Sequence, residues 1–434
     1  DAHVRVQRKL SVAQRHCRLL GKTQREARVR RAIRRITRYL HARAKQRVQT
    51  TAVCQRHRGC AAAAAPTAGE HAAHEAAMIE RLMQIVGAQG YERVEPPLVE
   101  FEDSLLEGAG KGVALATFRL MDPVSQRMMG VRADITPQVA RIAATRLSKA
   151  PRPLRLAYAG PVLRVRGDQL RPERQFHEVG VELIGTDRAE ADSEVIALAA
   201  EALIAIGARD VSVDINLPTL TPTVCEALGL DEAASDAARV ALDRKDAAAL
   251  RELAGEASMM LGGLLDAAGP AERALSALES VDLPSRARND CRRLQEVVRR
   301  VGAAVPELVI TIDPAENRGF EYHTGLSFTI FAKGARGSLG RGGRYLAGSV
   351  GEPATGFTLF LDSIARAVPT AKLGRKVYLP FGTAVEVGRA LRAENWKTVT
   401  GLEPDFEPVG EAERMECSHL LVDGRPVALS QDND

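Results

Sequence analysis

The chain has 434 residues, 45% of them hydrophobic, enough for two or three domains that each bury a core. No uninterrupted apolar run approaches the roughly 20 residues of a membrane-crossing helix, which excludes a helical membrane protein. Six scattered cysteines with no C-x-x-C pair argue against a zinc site and a disulfide framework, and a reducing, cytoplasmic setting fits them best.

The net charge of +5 averages two unlike regions. Residues 1–60 carry 18 Lys/Arg against two acids, Asp1 and Glu26, whereas the remainder carries 42 Lys/Arg against 53 Asp/Glu. Such a basic arm suits nucleic acid, an anionic membrane surface or a transit peptide. A plainer reading is preferred, because the chain opens on Asp1 and Cys60-AAAAAP runs abruptly into an unrelated pattern. On that reading residues 1–68 are upstream or frame-shifted sequence, or a disordered extension. Residues 69–372 then form the core domain, and 373–434 a small C-terminal α/β unit.

From His71 the text becomes orderly. Ile79, Leu82, Met83 and Val86 mark an amphipathic helix ended by Gly87 and Gly90. Arg93–Phe101 reads as an extended segment in which Pro96 and Pro97 forbid ladder bonds. A short strand follows at Arg127–Arg132, then a helix to about Ser148 with Thr136 as N-cap and Pro137 at its first position. Arg155–Arg164 and Gln175–Ile184 read as two strands joined by a charged loop. Period-two alternation on the second puts Glu178 and Glu182 on one face with Gly180 between them, and Val179, Val181 and Leu183 on the other. Arg164 closes the first strand, where a guanidinium can grip a carboxylate with two parallel hydrogen bonds. Two acids beside a cation suit a zwitterion such as an amino acid. The same spacing suits a solvated hairpin face whose charges pair with each other.

Residues 218–305 read as a helical insertion, with helical spacing in Ala238–Leu253 and Arg292–Val301 and breaks at Gly262-Gly263 and Gly269-Pro270. Strands return at Leu308–Ile312, Ser327–Phe331 and Thr355–Leu361. The glycine-rich run Gly334–Gly343 lacks the Gly-Lys-Ser/Thr ending of a phosphate-binding loop and reads as a flexible hairpin. Beyond it, short strands at Lys376–Leu379 and His419–Val422 flank a helix around Ala384–Glu394.

Four of these segments carry a resemblance. Tyr158-Ala-Gly-Pro-Val-Leu-Arg164 with Arg174-Gln-Phe-His-Glu-Val-Gly-Val-Glu182 resembles the second signature of class II aminoacyl-tRNA synthetases in its histidyl form. Arg318-Gly-Phe-Glu-Tyr322-His-Thr-Gly is similar to the histidine-binding loop of that family, and Gly342-Gly-Arg-Tyr345 to the signature after it. The resemblance spans roughly residues 72 to 365. It implies an α+β fold, an antiparallel sheet flanked by helices, and a dimer interface built from the first helix and the Glu95-Pro-Pro-Leu segment. It also implies a histidine pocket in which Asp134 and Thr136 hold the amino group. Arg164, Glu178, Glu182, Arg318 and Tyr322 would complete it, with Glu182 and Tyr322 around the imidazole.

Departures from the family bear on activity. The third signature ends in Asp362-Ser363, where the family has a Glu-Arg pair whose arginine contacts the nucleotide phosphates. Arg166 stands where the family has an acid, Leu346 where Gly-Gly-Arg-Tyr continues to Asp, Glu178 where a glutamine is usual, and His323 where a second tyrosine is usual. After Ser363 about 70 residues remain, fewer than an anticodon-binding domain needs. The pattern therefore resembles the histidyl-synthetase paralogues that serve as regulatory subunits of ATP phosphoribosyltransferase. That resemblance implies no catalytic residues, no metal or other cofactor and no tRNA. It implies a homodimer within a hetero-oligomer, a short-form catalytic subunit as partner, and histidine as feedback ligand. An active histidyl-tRNA synthetase, an amino-acid ligase of the same fold and a non-functional copy remain as alternatives.

Residues 1–68 lack the apolar periodicity needed to join a core. Their removal is expected to leave a soluble protein with unchanged circular dichroism and ligand binding; loss of soluble protein would show the arm to be structural.

Overall fold

The computed structural model describes residues 68–106, 108–167, 173–252, 256–316, 323–348, 351–369, 375–404 and 407–429. The basic arm, Arg318 and Tyr322 lie outside them. Helix α1 (Ala68–Ala88) buries Met78, Leu82, Met83 and Val86 and gives way at Gly90, whose φ of 85° suits a residue without a Cβ. Strands β1 (Glu92–Arg93) and β2 (Val99–Phe101) flank the paired prolines, and a short helix α2 (Glu102–Leu105) follows. After a 3₁₀ segment at Gly108–Ala116, strands β3 (Phe118–Met121) and β4 (Met128–Val131) join β2 in a three-stranded sheet of order β2-β4-β3. Helix α3 (Thr136–Ala144) then leads to β5 (Leu154–Leu163) and β6 (Gln175–Ile184).

Helix α4 (Ala189–Ala205) runs from β6 to β7 (Val211–Asn216). The helices α5 (Leu220–Ala227), α6 (Glu232–Asp243), α7 (Ala247–Arg251) and α8 (Glu256–Asp266) follow. Next come a short bridge strand β8 (Gly269–Pro270), α9 (Ala271–Ser280), α10 (Ser285–Ala304) and β9 (Val309–Asp313). Then β10 (His323–Ala332), β11 (Gly340–Ala347), β12 (Glu352–Phe360) and α11 (Leu361–Ala367) complete this part. The main sheet has nine strands in the order β1-β5-β6-β12-β11-β10-β7-β9-β8, antiparallel except where β1 meets β5 and β7 meets β9. A separate four-stranded sheet, β14-β13-β15-β16, comprises β13 (Lys376–Leu379), β14 (Lys397–Thr400), β15 (His419–Val422) and β16 (Arg425–Ala428). Helices α12 (Val385–Ala393) and α13 (Pro408–Arg414) connect its parallel strands. Trp396 packs there with Val377, Leu379, Leu391 and Leu421. Among the described residues no helix is long and apolar enough to cross a membrane.

The alternation in β6 divides two cores. Val179, Val181 and Leu183 join α1, α4 and the insertion helices in the larger one, while Phe176 and Ile184 join Ile135, Val139, Tyr158, Tyr345 and Phe360 beneath α3. Each face of the sheet is thus covered by helices, as its buried strands require.

Three sequence expectations change. The Ala238–Leu253 pattern is two helices, because Lys245 adopts a φ of 56° and Asp246 then caps α7 by accepting the Ala248 and Ala249 N–H groups. Gly262 and Gly263 lie within α8 and do not break it. The glycine-rich run is a turn only in its first half. From Gly340 onward it is β11, a central strand, because at Gly342 a Cβ would strike the Gly356 carbonyl and the Phe328 ring.

On the helical face a charged cluster fastens β11. Asp192, fully buried on α4, accepts from the Arg344 guanidinium at 2.8 Å and from Arg293 of α10 at 2.8 Å. Arg344 also donates to the carbonyls of Thr186 and Arg188 at 3.0 and 3.2 Å. Removing one partner of a buried pair strands the other charge, which costs about 3–5 kcal/mol. Asp192→Ala is therefore expected to lower unfolding free energy by about that amount, measurable by denaturant titration, whereas a change below about 0.5 kcal/mol would show the cluster to be dispensable.

Candidate functional site

Beneath α3, the other face of β6 meets β5, β11 and β12 at a polar cleft. Register places Glu182 between Leu156 of β5 and Gly356 of β12, and Glu178 between Gly160 and Phe360. Both carboxylates are buried, at 1% and 0% exposure. Two glycines make this possible. A Cβ at Gly356 would collide with the Glu182 carboxylate and the Val181 carbonyl, and one at Gly180 with the Tyr158 hydroxyl and the Phe357 carbonyl.

Glu182 is held by hydroxyls. Tyr345 donates to its Oε2 at 2.8 Å, Tyr158 reaches its Oε1 at 3.5 Å, and Thr136 also hydrogen-bonds it. Tyr158 in turn shares hydrogen bonds with Thr136 at 3.0 Å and Thr358 at 2.8 Å. Glu178 is held by charge: Arg164 donates to its Oε1 at 3.2 Å, and the Ile135 N–H to its Oε2 at 3.3 Å. Arg164 also donates to the Ala133 carbonyl at 3.2 Å and lies 4.9 Å from the centre of the Phe176 ring. Burial pushes both glutamates up to about 8. The Asp134 carboxylate adds to this, while Arg164 and Arg341 oppose it at Glu178 and the hydroxyl donors oppose it at Glu182. Burial likewise drives the Tyr158 phenol well above its ordinary range, so it remains a neutral donor.

The structure brings together Asp134, Thr136, Arg164, Glu178 and Glu182 of the predicted set; Arg318 and Tyr322 lie outside the described residues. Arg164 reaches Glu178, not both carboxylates. Thr136 opens α3 without serving as a side-chain cap. The Asp134 carboxylate accepts the Thr136 N–H at 2.9 Å instead, which frees the threonine hydroxyl for Tyr158. Helix α3 also stops at Ala144, short of Ser148. Arg341, Tyr345, Tyr158, Thr358 and His323 belong to the site and were missed as site residues: Arg341, His323, Tyr345 and Thr358 line the cleft with Asp134, Thr136 and Glu182, while Tyr158 joins their hydroxyl network. The signal was present in Arg341-Gly-Gly-Arg-Tyr345, where period-two alternation puts Arg341 and Tyr345 on one strand face and Arg344 on the other. Reading that run as a loop concealed it.

Of the positions that depart from the synthetase pattern, Ser363 is buried in the first turn of α11, its hydroxyl 3.5 Å from Arg366. Arg166 is exposed beyond the end of β5, and Leu346 is half exposed on β11. A larger cavity of about 460 Å3 opens between α9 and α10. Its Arg288 is paired with Asp282 at 2.9 Å and its Gln295 with Glu279 at 2.9 Å, so these polar groups are taken up by each other.

Residues 67–364 match the family described as histidyl-tRNA synthetase. The ATP phosphoribosyltransferase regulatory subunit of Rhodospirillum centenum is 57% identical over 354 residues, covering 82% of this chain and 92% of that protein. The regulatory subunit of Paramagnetospirillum magneticum is 54% identical, covering 80% and 91%. Among solved structures, a regulatory subunit/histidyl-tRNA synthetase from Bacillus halodurans superposes with a TM-score of 0.67 at 23% identity over 78% of this chain and 92% of its own. A chain of an ATP phosphoribosyl transferase complex from Thermotoga maritima superposes with a TM-score of 0.53 at 17% identity over 66% and 97%. With a match to the histidyl-tRNA synthetase family over residues 67–364 and relatives of this identity and coverage, the chain belongs to the family of ATP phosphoribosyltransferase regulatory subunits.

Proposed function

We propose that this chain is the non-catalytic histidine sensor of a hetero-oligomer in which a separate, short-form subunit performs the phosphoribosyl transfer. The observation that carries this reading is the β6 cleft: buried Glu182 lines it with Asp134, Thr136 and Arg341, and buried Glu178, paired with Arg164, lies on the same strand face. Such a set can hold both ends of an amino acid. Carboxylates and hydroxyls take the ammonium and the ring N–H, and a guanidinium takes the carboxylate. Arg318 and Tyr322 are proposed as further members. At Ser363 a neutral hydroxyl, buried against Arg366, occupies the place where the synthetases direct a cation at the nucleotide phosphates. Losing such a cation removes several kcal/mol of transition-state stabilisation. The chain is accordingly proposed to form no aminoacyl adenylate and to charge no tRNA.

Feedback needs a second site, which this reading places on the catalytic subunit. Histidine shifts that subunit's activity only by binding one arrangement of the complex more tightly, and a coupling of about 1–3 kcal/mol suffices. The protein is proposed to work as a homodimer, paired through α1 and the Glu95-Pro-Pro-Leu segment, with other faces left for the partner. The Rhodospirillum and Paramagnetospirillum relatives, named as regulatory subunits, support this reading.

Isothermal calorimetry tests the pocket. Glu182→Ala strands the Tyr345 hydroxyl and removes the ligand's anionic partner, so histidine affinity is expected to fall at least 30-fold, or about 2 kcal/mol; unchanged affinity would place the pocket elsewhere. Histidine-dependent ATP–pyrophosphate exchange is expected to stay at background, and exchange above it would restore the synthetase reading. Mixed with the short catalytic subunit, this chain is expected to co-elute on sizing and to make phosphoribosyl transfer histidine-sensitive. No complex and an unaltered rate would refute the regulatory assignment.

A further inference from the structure

The two glutamates of the cleft differ in what faces them. Around Glu178 stand Arg164 of β5 and Arg341 of β11, with the Ile135 N–H and the Asp134 carboxylate from the segment before α3. Buried Arg132 at the end of β4 also senses Glu178, but its N–H groups are taken by the carbonyls of Pro161 and Pro96 at 2.8 and 2.7 Å. Around Glu182 stand Tyr345 of β11, Tyr158 of β5, Thr136 of α3 and the Asp134 carboxylate. Thr358 of β12 backs Tyr158, and His323 of β10 lines the same cleft. Among the described residues no Lys or Arg is paired with Glu182. Among the described residues, an ionised Glu182 at 1% exposure would be held by hydroxyl dipoles beside a second acid, with Arg341 lining the same cleft, which leaves a buried negative charge weakly compensated.

Resting on the proposed amino-acid pocket, we infer that the empty site keeps a proton on Glu182 at neutral pH and exchanges it for the cationic group of the entering ligand. The exchange balances. An ammonium, already charged at neutral pH, enters, the Glu182 O–H bond breaks, its electron pair stays on the carboxylate, and the proton leaves to solvent. The positive charge formerly carried by the proton is then carried by the ligand. Hydroxyl donors suit both states: Tyr345 donates to the ionised form, while the neutral acid donates through Tyr158 or Thr136, each of which can accept. The site therefore takes cations at a proton's expense. A neutral or anionic ligand of similar shape gains nothing from the exchange and is discriminated against. Burial pushes Glu182 and Glu178 alike up to about 8, so it is the contacts around Glu182, not the shift, that set it apart.

Linkage gives the signs. A carboxyl raised in the folded state stabilises the fold fully below its unfolded value, near 4.5, and that contribution is lost as pH rises through about 8. The empty protein is thus expected to lose stability between those pH values, while affinity for a cation rises across the same window.

Infrared difference spectra of the ligand-free protein decide the first half. A neutral-carboxyl stretching band near neutral pH, absent in Glu182→Gln, is expected; its absence from the native protein overturns the inference whether or not histidine binds. Should Glu182→Gln fail to fold, Tyr345→Phe serves. Loss of its donated hydrogen bond is expected to shift the band's titration to higher pH, and an unmoved titration counts against Glu182 as its source. Calorimetry with histidine in buffers of differing ionisation enthalpy decides the second half, with release of about one proton expected near pH 7. Binding with buffer-independent heat overturns the exchange and leaves the sensor reading intact. A carboxyl band without any histidine binding supports the stored proton and refutes histidine as the ligand.

Discussion

Two carboxylates buried side by side on one strand of a nine-stranded sheet are the constraint to which the surrounding structure answers. Isolated ionised groups are expensive to take out of water, so each neighbouring element contributes something to offset that cost. Helix α3 brings the Ile135 N–H and the Thr136 hydroxyl, β5 brings Tyr158 and Arg164, and β11 brings Tyr345 and Arg341. Glycines at 180 and 356 open the room these groups occupy. The asymmetry matters most. Glu178 is compensated by guanidinium charge and Glu182 by hydroxyl dipoles, an asymmetry on which the proposed ligand pocket rests.

The opposite face of the sheet holds this arrangement in place. Tyr345 can reach Glu182 only if β11 keeps its register, and the next residue back, Arg344, is clamped to Asp192 and to the carbonyls at the start of α4. Arg293 of α10 shares the same carboxylate. A single dipeptide therefore joins the polar cleft on one side to the helical insertion on the other.

What could be read from the sequence follows from how local each signal is. Alternation in β6 predicted both the shared face of Glu178 and Glu182 and the apolar face of Val179, Val181 and Leu183, because strand periodicity is a property of consecutive residues. The first helix, the two long strands and the core of the C-terminal elements were legible for the same reason. Misreadings arose where tertiary contacts outvote local preference. Gly262-Gly263 stays helical because α8 packs within the insertion, and Gly340, Gly342 and Gly343 sit in a strand because a Cβ at each would meet the neighbouring strands β10 and β12. Thr136, expected to cap α3, instead turns its hydroxyl to Tyr158, 22 residues further on. No window of sequence carries that information.

The pairing of β6 with β12 joins residues about 170 positions apart, Glu182 lying opposite Gly356. Between them the chain must complete α4, the insertion helices and five further strands. Loop-closure entropy over such a span delays pairing until much of the intervening structure has formed. During synthesis, Glu178 and Glu182 therefore emerge early and remain hydrated on an unfinished edge strand, where their charges discourage the premature association that its exposed ladder groups invite. Their desolvation waits for the last strand of the sheet, so the cleft is born only when the whole domain closes, and no shorter nascent fragment can form it.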